Sequence, residues 1–147
     1  MKTLKYLLKE FSKLHIFLSN IRNEIFFYKE KLIIWILNSD EQLFVMTALA
    51  LYNIDVHVLH TELKFNKHQK MIHEFVIKSK NIMILICSFY INFSEFNLQN
   101  LCYNIHFWNI SMSEILLMQA IEHVRCLDQK HIVKIYNYII LNSFNIK

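Results

Sequence analysis

Residues 31–37, with the sequence KLIIWIL, form the stretch that decides the fold. Six apolar residues follow Lys31 without interruption, and the run ends at Asn-Ser-Asp. A strand with one solvated face would alternate apolar and polar residues, whereas a continuous run is typical of a strand buried on both faces. The run therefore predicts a central strand of a parallel sheet that helices cover on both sides.

The segments around this strand alternate between helical and extended patterns. Before it, residues 3–28 carry apolar side chains at helical spacing, which predicts an N-terminal amphipathic helix. Three later helices are predicted to begin at the capping residues Ser39, Asn66 and Ser111. Further strands are predicted at residues 55–60, 82–88, 104–109 and 131–140. This order predicts an α/β protein with a doubly wound, mostly parallel sheet and right-handed crossovers.

The length of 147 residues corresponds to one domain. We divide the chain into residues 1–30, an N-terminal helical extension, and residues 31–147, a single α/β domain. The connection from Ser88 to Gln99 is long for this fold, and long loops inside compact domains are often functional.

The chain contains no glycine and no proline. Loops that hold phosphates need glycine for close backbone approach, so a free-standing nucleotide-binding enzyme is disfavoured. Turns that need a positive φ must use residues with a Cβ, and Asn100, Asn104 and Asp128 are the candidates. The formal net charge of +4 is a mild basic bias, and Arg22 and Arg125 are the two arginines.

The cysteines and the N-terminus both predict an intracellular protein. Three cysteines without C-x-x-C spacing indicate reduced thiols rather than disulfides or a zinc site. Charged residues interrupt any signal-peptide core near the N-terminus. The most apolar stretch, residues 81–91, is about half as long as a bilayer span, so we expect no membrane partner.

We also predict no metal site. His57 and His60 are the pair that suggests zinc, but residues three apart on a strand point to opposite faces. Lys64 and Lys67 follow the predicted strand at 55–60 and suit the phosphates of a nucleic acid, although such a charge run is also typical of a solvated helix face. Trp35 and Trp108 lie in apolar strands and are expected in the core.

Residues 119–129, with the sequence QAIEHVRCLDQ, resemble the last helicase motif of Swi/Snf-type DNA translocases, Q-A-x-x-R-x-x-R-x-G-Q. Earlier segments are similar to the C-terminal RecA-like lobe of that family, in the family's order. They are the strand at 31–37 with its capped helix, the strand at 52–60, the helix at 66–75, the strand at 84–88 followed by Asn97-Leu98, the strand at 104–108, and the helix that carries Met118 and Gln119. The resemblance covers residues 31–140.

The resemblance implies that residues 31–147 form a helicase C-terminal, second RecA-like domain. It implies nuclear localisation, DNA as a partner, and an N-terminal helicase lobe in cis or in trans. ATP and Mg would bind only in combination with that first lobe. Gln119 would lie near the nucleotide, and Ser88 and Asn97 would contact the nucleic acid, in addition to Lys64 and Lys67, which charge and position suggest. Arg125 is a further nucleotide-binding candidate, but one residue along a helix is a rotation of about 100°, so a solvated arginine at the helix end is the alternative.

The departures from the motif put the activity in doubt. His123 and Cys126 stand where the family has arginines, and Asp128 stands where it has glycine. No catalytic residue is therefore intact, and we expect a degenerate lobe that is inactive alone and binds DNA weakly and without sequence preference. A non-catalytic α/β remnant that binds nucleic acid or a protein weakly is the alternative, and the sequence leaves both open.

Overall fold

The computed structural model describes residues 2–77, 82–91, 102–110, 113–125 and 130–140, with side chains from residue 12 onward. Five strands form one sheet: β1 (Lys31–Ile36), β2 (Val56–Leu59), β3 (Ile84–Ser88), β4 (Cys102–Phe107) and β5 (Lys134–Asn137). The helices are α1 (Lys2–Arg22), which continues as a π-helix (Asn23–Tyr28), α2 (Ser39–Ala50), α3 (Phe65–Val76) and α4 (Glu114–Glu122).

The sheet has the strand order β2-β3-β1-β4-β5, and every strand pair in it is parallel. β1 is the central strand: Leu32 pairs with Ile84 on one side and with Asn104 on the other. A doubly wound α/β fold is therefore confirmed. The burial of all five residues from Leu32 to Ile36 explains the continuous apolar run.

Two hydrophobic layers cover the sheet. Leu32, Ile34 and Ile36 of β1 pack with side chains from α1 and α2 on one face. Ile33 and Trp35 pack with side chains from α3 and α4 on the other face. Alternate side chains of β1 thus belong to different cores, as the geometry of a strand requires.

The N-terminal helix is packed onto the sheet. Phe17 and Ile21 are fully buried and belong to the same core layer as Val45 and Leu49 of α2. The division of the chain at residue 30 stays a prediction, but half-buried and buried side chains on both sides of it share one core.

The predicted helix starts are shifted along the chain. Asn38, not Ser39, is the N-cap of α2, and Lys64, not Asn66, is the N-cap of α3. Neither residue caps its helix through a side-chain hydrogen bond. At α4 the N-cap is Ser113, whose hydroxyl accepts a hydrogen bond from the Leu116 N–H at 3.4 Å; Ser111 lies outside the described residues. β5 is also shorter than the predicted strand at 131–140.

Two residues among those described have a positive φ, Lys29 and Asn53, each at 55°. Lys29 ends the π-helix in the left-handed conformation, and Asn53 follows α2. The prediction for Asn104 was wrong, because it is a buried residue of β4; Asn100 and Asp128 lie outside the described residues. A chain without glycine thus places Lys and Asn where glycine is preferred.

Replacing Lys29 by glycine should stabilise the protein. A residue with a Cβ costs about 1–2 kcal/mol in the left-handed region, and glycine removes this cost while adding some unfolded-state entropy. We expect Lys29→Gly to raise the free energy of unfolding by up to about 1 kcal/mol, and Asn53→Gly by less, because Asn tolerates this region better. Urea unfolding monitored by circular dichroism measures both changes.

The control is Gln69→Gly, which introduces glycine at an exposed position inside α3. It should lower the free energy of unfolding by about 1 kcal/mol. Equal destabilisation by Lys29→Gly and Gln69→Gly would contradict the left-handed conformation of residue 29.

Candidate functional site

The carboxyl ends of the strands form the edge where doubly wound sheets bind ligands. The connections that leave β1 and β4 run to opposite sides of the sheet, so the switch point lies between these two strands. There the Leu37 N–H donates a hydrogen bond to Asn109 Oδ1 at 3.0 Å. The side chain of Asn109 therefore joins the two chain segments that follow β1 and β4. Asn109 is the last residue of the strand predicted at 104–109, but its contact with the Leu37 N–H could not be predicted from the sequence.

Ser88 is the last residue of β3 and is 6% exposed. Its Oγ accepts a hydrogen bond from the Tyr90 N–H at 3.3 Å, and its carbonyl oxygen accepts one from the Ile91 N–H at 3.2 Å. Ser88, which was predicted to contact nucleic acid, thus lies at the expected edge of the sheet. Its hydrogen bonds stabilise the turn that follows β3. Asn97 lies outside the described residues.

Lys64 and Lys67 are exposed at the start of α3, which follows β2. The Lys64 carbonyl accepts hydrogen bonds from the N–H groups of Lys67, at 2.9 Å, and His68, at 3.2 Å. His68 is buried, and its Nε2 contacts the His60 carbonyl at 2.9 Å. Because β2 and β3 are neighbours, the two lysines lie at the same edge as Ser88, and both are exposed.

The residues of the helicase-like motif lie on and after α4. Gln119 and Arg125 are exposed, and the Arg125 N–H donates to the Ile121 carbonyl at 2.9 Å. His123 is half-buried, and burial lowers its pKa, with a smaller opposing effect of Glu122. Its imidazole is therefore uncharged at neutral pH. Cys126 lies outside the described residues.

The structure separates the predicted site residues into two groups. Ser88, Lys64 and Lys67 lie at the carboxyl edge of the sheet. α4 returns the chain from the end of β4 to the start of β5, so His123, at its carboxyl end, lies toward the opposite, amino edge. The described nucleic-acid positions and His123 consequently lie toward opposite edges of the sheet.

A cleft of about 440 Å³ lies beside the edge strand β2 and is lined by His57, His60 and the buried Gln42, among others. β2 ends at Leu59, so strand alternation does not apply to His60, and both imidazoles line this cleft. His57 Nε2 lies 2.8 Å from Glu74 Oε2. Within the described residues, no group of three or more His, Cys, Asp or Glu side chains could hold a metal ion.

A buried relay of polar side chains connects the N-terminal helix to the sheet, and sequence reasoning missed it. His106 Nε2 lies 2.6 Å from Glu24 Oε2, and His106 Nδ1 lies 2.8 Å from the Tyr138 hydroxyl. Asn20 Nδ2 donates to the same hydroxyl at 3.1 Å. The side chains of Glu24 and His106 are 4% and 0% exposed, so this pair is shielded from water.

One proton arrangement satisfies every contact of the relay. The Asn20 amide donates to the Tyr138 oxygen, the Tyr138 hydroxyl donates to His106 Nδ1, and the His106 Nε2–H donates to the Glu24 carboxylate. A proton on His106 Nδ1 would leave the Tyr138 hydroxyl proton without its acceptor. In this arrangement both ring nitrogens of His106 are hydrogen-bonded.

Removing the Tyr138 hydroxyl should destabilise the protein. Tyr138→Phe leaves His106 Nδ1 without its donor in a buried site, which costs about 1–3 kcal/mol. The matched control is Tyr52→Phe, which removes a hydroxyl at a position that is 56% exposed and should change the stability little. Urea unfolding of both variants is the measurement, and an equal loss in the two would contradict the relay.

No helix among the described residues has the length and apolarity needed to cross a bilayer. No family model matches the sequence, and no curated protein matches it.

Among solved structures, the chain is similar to the crystal structure of the C-terminal part of the Fun30 ATPase domain. The sequence identity is 21%, the TM-score is 0.82, and the match covers 89% of this chain and 41% of that chain. At this identity the likeness shows the fold. The chain therefore has an α/β, RecA-like fold that matches the C-terminal part of that ATPase domain, which is the fold that the resemblance of residues 31–140 predicted.

Proposed function

We propose that the chain is a degenerate second lobe of a Swi/Snf-type, ATP-driven DNA translocase, inactive alone but still able to bind DNA weakly. The observation that carries this proposal is the fold likeness to the C-terminal part of an ATPase domain over 89% of the chain. The match covers less than half of that protein's chain, and the proposal assigns hydrolysis only to a complex with a first lobe. Nuclear localisation follows from the same proposal.

The nucleotide half of the proposal concerns α4. The transition state of phosphoryl transfer is stabilised by guanidinium groups, which are planar, permanently charged and bidentate toward phosphate. His123 supplies an uncharged, half-buried imidazole instead, and Cys126 supplies a thiol. Gln119 and Arg125 are exposed. Both could contact ATP and Mg held by a first lobe, and ATP would supply the phosphoryl group.

The nucleic-acid half concerns the carboxyl edge. Lys64 and Lys67 expose their ammonium groups there, and phosphate contacts of this kind position a protein without reading sequence. With a net charge of +4, few phosphates are neutralised, which supports a dissociation constant of about 10⁻⁴–10⁻⁶ M, typical of non-specific binding.

A non-catalytic binding module is the second candidate. The hydrogen bond from the Leu37 N–H to Asn109 Oδ1 favours it, because at the switch point, where doubly wound sheets bind ligands, this backbone N–H is bonded to the protein's own side chain. The ATPase measurement below separates the two candidates.

Restoring the motif arginines should restore hydrolysis only when a first lobe is present. An arginine finger contributes about 10³–10⁵ in rate, and a chain without glycine has no phosphate-binding loop of its own. We expect DNA-stimulated phosphate release near background for the chain alone and for the chain with an intact first lobe. The variant with both His123→Arg and Cys126→Arg, with that lobe, should turn over.

The control for added charge is His73→Arg, at an exposed position on α3. It should leave the rate at background. Turnover by the unmodified chain alone would refute the second-lobe proposal, whereas failure of the double revertant in a folded complex would favour the non-catalytic module.

DNA binding should depend on the lysines at the start of α3. Each of Lys64→Glu and Lys67→Glu should weaken binding to duplex DNA, and the double variant should show a smaller salt slope, by about 1–2. The matched control is Arg22→Glu, which makes the same charge change at an exposed position of α1. Fluorescence anisotropy across a salt series measures the affinity for DNA. Equal losses of affinity for Lys64→Glu and Arg22→Glu would indicate that binding depends on net charge and not on the position of the lysines.

A further inference from the structure

A cluster of aromatic and basic side chains lies at the amino edge of the sheet. Tyr28 precedes β1, Tyr103 lies at the start of β4, and His131 and Lys134 lie before and at the start of β5. Because these strands are parallel, their starts meet at one edge. We call Tyr28, Tyr103, His131 and Lys134 the amino-edge patch.

The side chains of the amino-edge patch contact one another. The Lys134 ammonium lies 5.5 Å from the centre of the Tyr28 ring and 5.8 Å from that of Tyr103. The Tyr103 ring stacks on the His131 ring, with centres 4.6 Å apart and planes inclined by 26°. One cation is thus held between two rings, and a third ring extends the aromatic surface.

A carboxylate beneath the patch fixes these positions. Glu30 Oε2 lies 3.3 Å from Lys134 Nζ and accepts a hydrogen bond from Nδ2 of the buried Asn104 at 2.8 Å. Burial and the neighbouring Glu30 raise the pKa of Tyr103 to about 12, so its hydroxyl stays protonated and uncharged. The rings are therefore preorganised rather than loosely placed on the surface.

The patch combines open ring faces with positive charge. Tyr28 is 66% exposed and the preceding Phe27 is 73% exposed. Lys29 and Lys130 flank Tyr28 and His131 in sequence and are exposed. Among the described residues, Lys29, Lys130 and Lys134 thus outnumber the nearby carboxylates of Glu30 and the buried Glu24. An apolar protein partner would have to bury these lysines, whereas a polyanion with aromatic bases matches both the charge and the rings.

We infer that the amino-edge patch binds single-stranded nucleic acid, with bases stacked on Tyr28 and His131 and phosphates near Lys29, Lys130 and Lys134. Aromatic stacking accepts any base, because every base has a π-face. In a duplex those faces are already stacked on neighbouring bases, so the patch discriminates against double-stranded DNA. This surface lies at the edge opposite to Lys64 and Lys67 and is separate from the duplex-binding surface proposed above.

The test uses the full chain, a fluorescein-labelled oligothymidylate of twenty nucleotides, and a labelled duplex of the same length. The double variant Tyr28→Leu with His131→Leu keeps apolar bulk but removes two ring faces. We expect it to weaken binding to the single strand at least about tenfold while leaving duplex binding within about twofold, since stacking of one base alone accounts for about tenfold or more. Circular dichroism confirms that the variant is folded.

Two controls make the outcome decisive. Tyr52→Leu removes a ring that is 56% exposed after α2 and should not change single-strand binding. Lys64→Glu should weaken duplex binding more than single-strand binding, so that failure of the duplex surface and failure of the patch give different results. Unchanged single-strand affinity in the folded double variant, or a wild-type preference for the duplex, would overturn the inference.

Discussion

The burial of β1 on both faces is the constraint on which the rest of the structure depends. β1 is hydrogen-bonded to β3 and to β4, and its side chains alternate between two separate cores. Each face of such a strand must be covered, so α1 and α2 are required on one side and α3 and α4 on the other. The two edges of the sheet, where the candidate surfaces lie, follow from this arrangement.

The sequence predicted the parts of the fold that local pattern controls. The apolar run at 31–37 predicted the buried central strand, because a strand with apolar residues on both faces has no face that is stable in contact with water. Helix starts were less predictable: Asn38 and Lys64 occupy the N-cap positions without side-chain caps, so the packing of the helices, and not their capping residues, sets where they begin. Positive φ fell at Lys29 and Asn53, which no composition rule distinguishes from other Lys and Asn residues.

The site could be predicted only in part, because several of its contacts join residues that are far apart in the sequence. Lys64 and Lys67 could be predicted as candidates because charge and position are visible in sequence, whereas the burial of His68 is not. The relay from Glu24 through His106 to Tyr138 joins three elements that no spacing rule connects. The amino-edge patch was hidden for the same reason, since Tyr28 and Lys134 meet only when β1 and β5 are placed in one sheet with β4 between them.

The central position of β1 also has a consequence for how the chain folds. Leu32 pairs with Ile84 and Asn104, so both neighbours of the central strand come from much later in the chain. Closing these long loops costs entropy before any of the burial of β1 is gained, and parallel pairing of this kind is intrinsically slow. β1 precedes both of its partner strands in the chain, so its apolar side chains stay exposed to other chains until β3 and β4 have been synthesised.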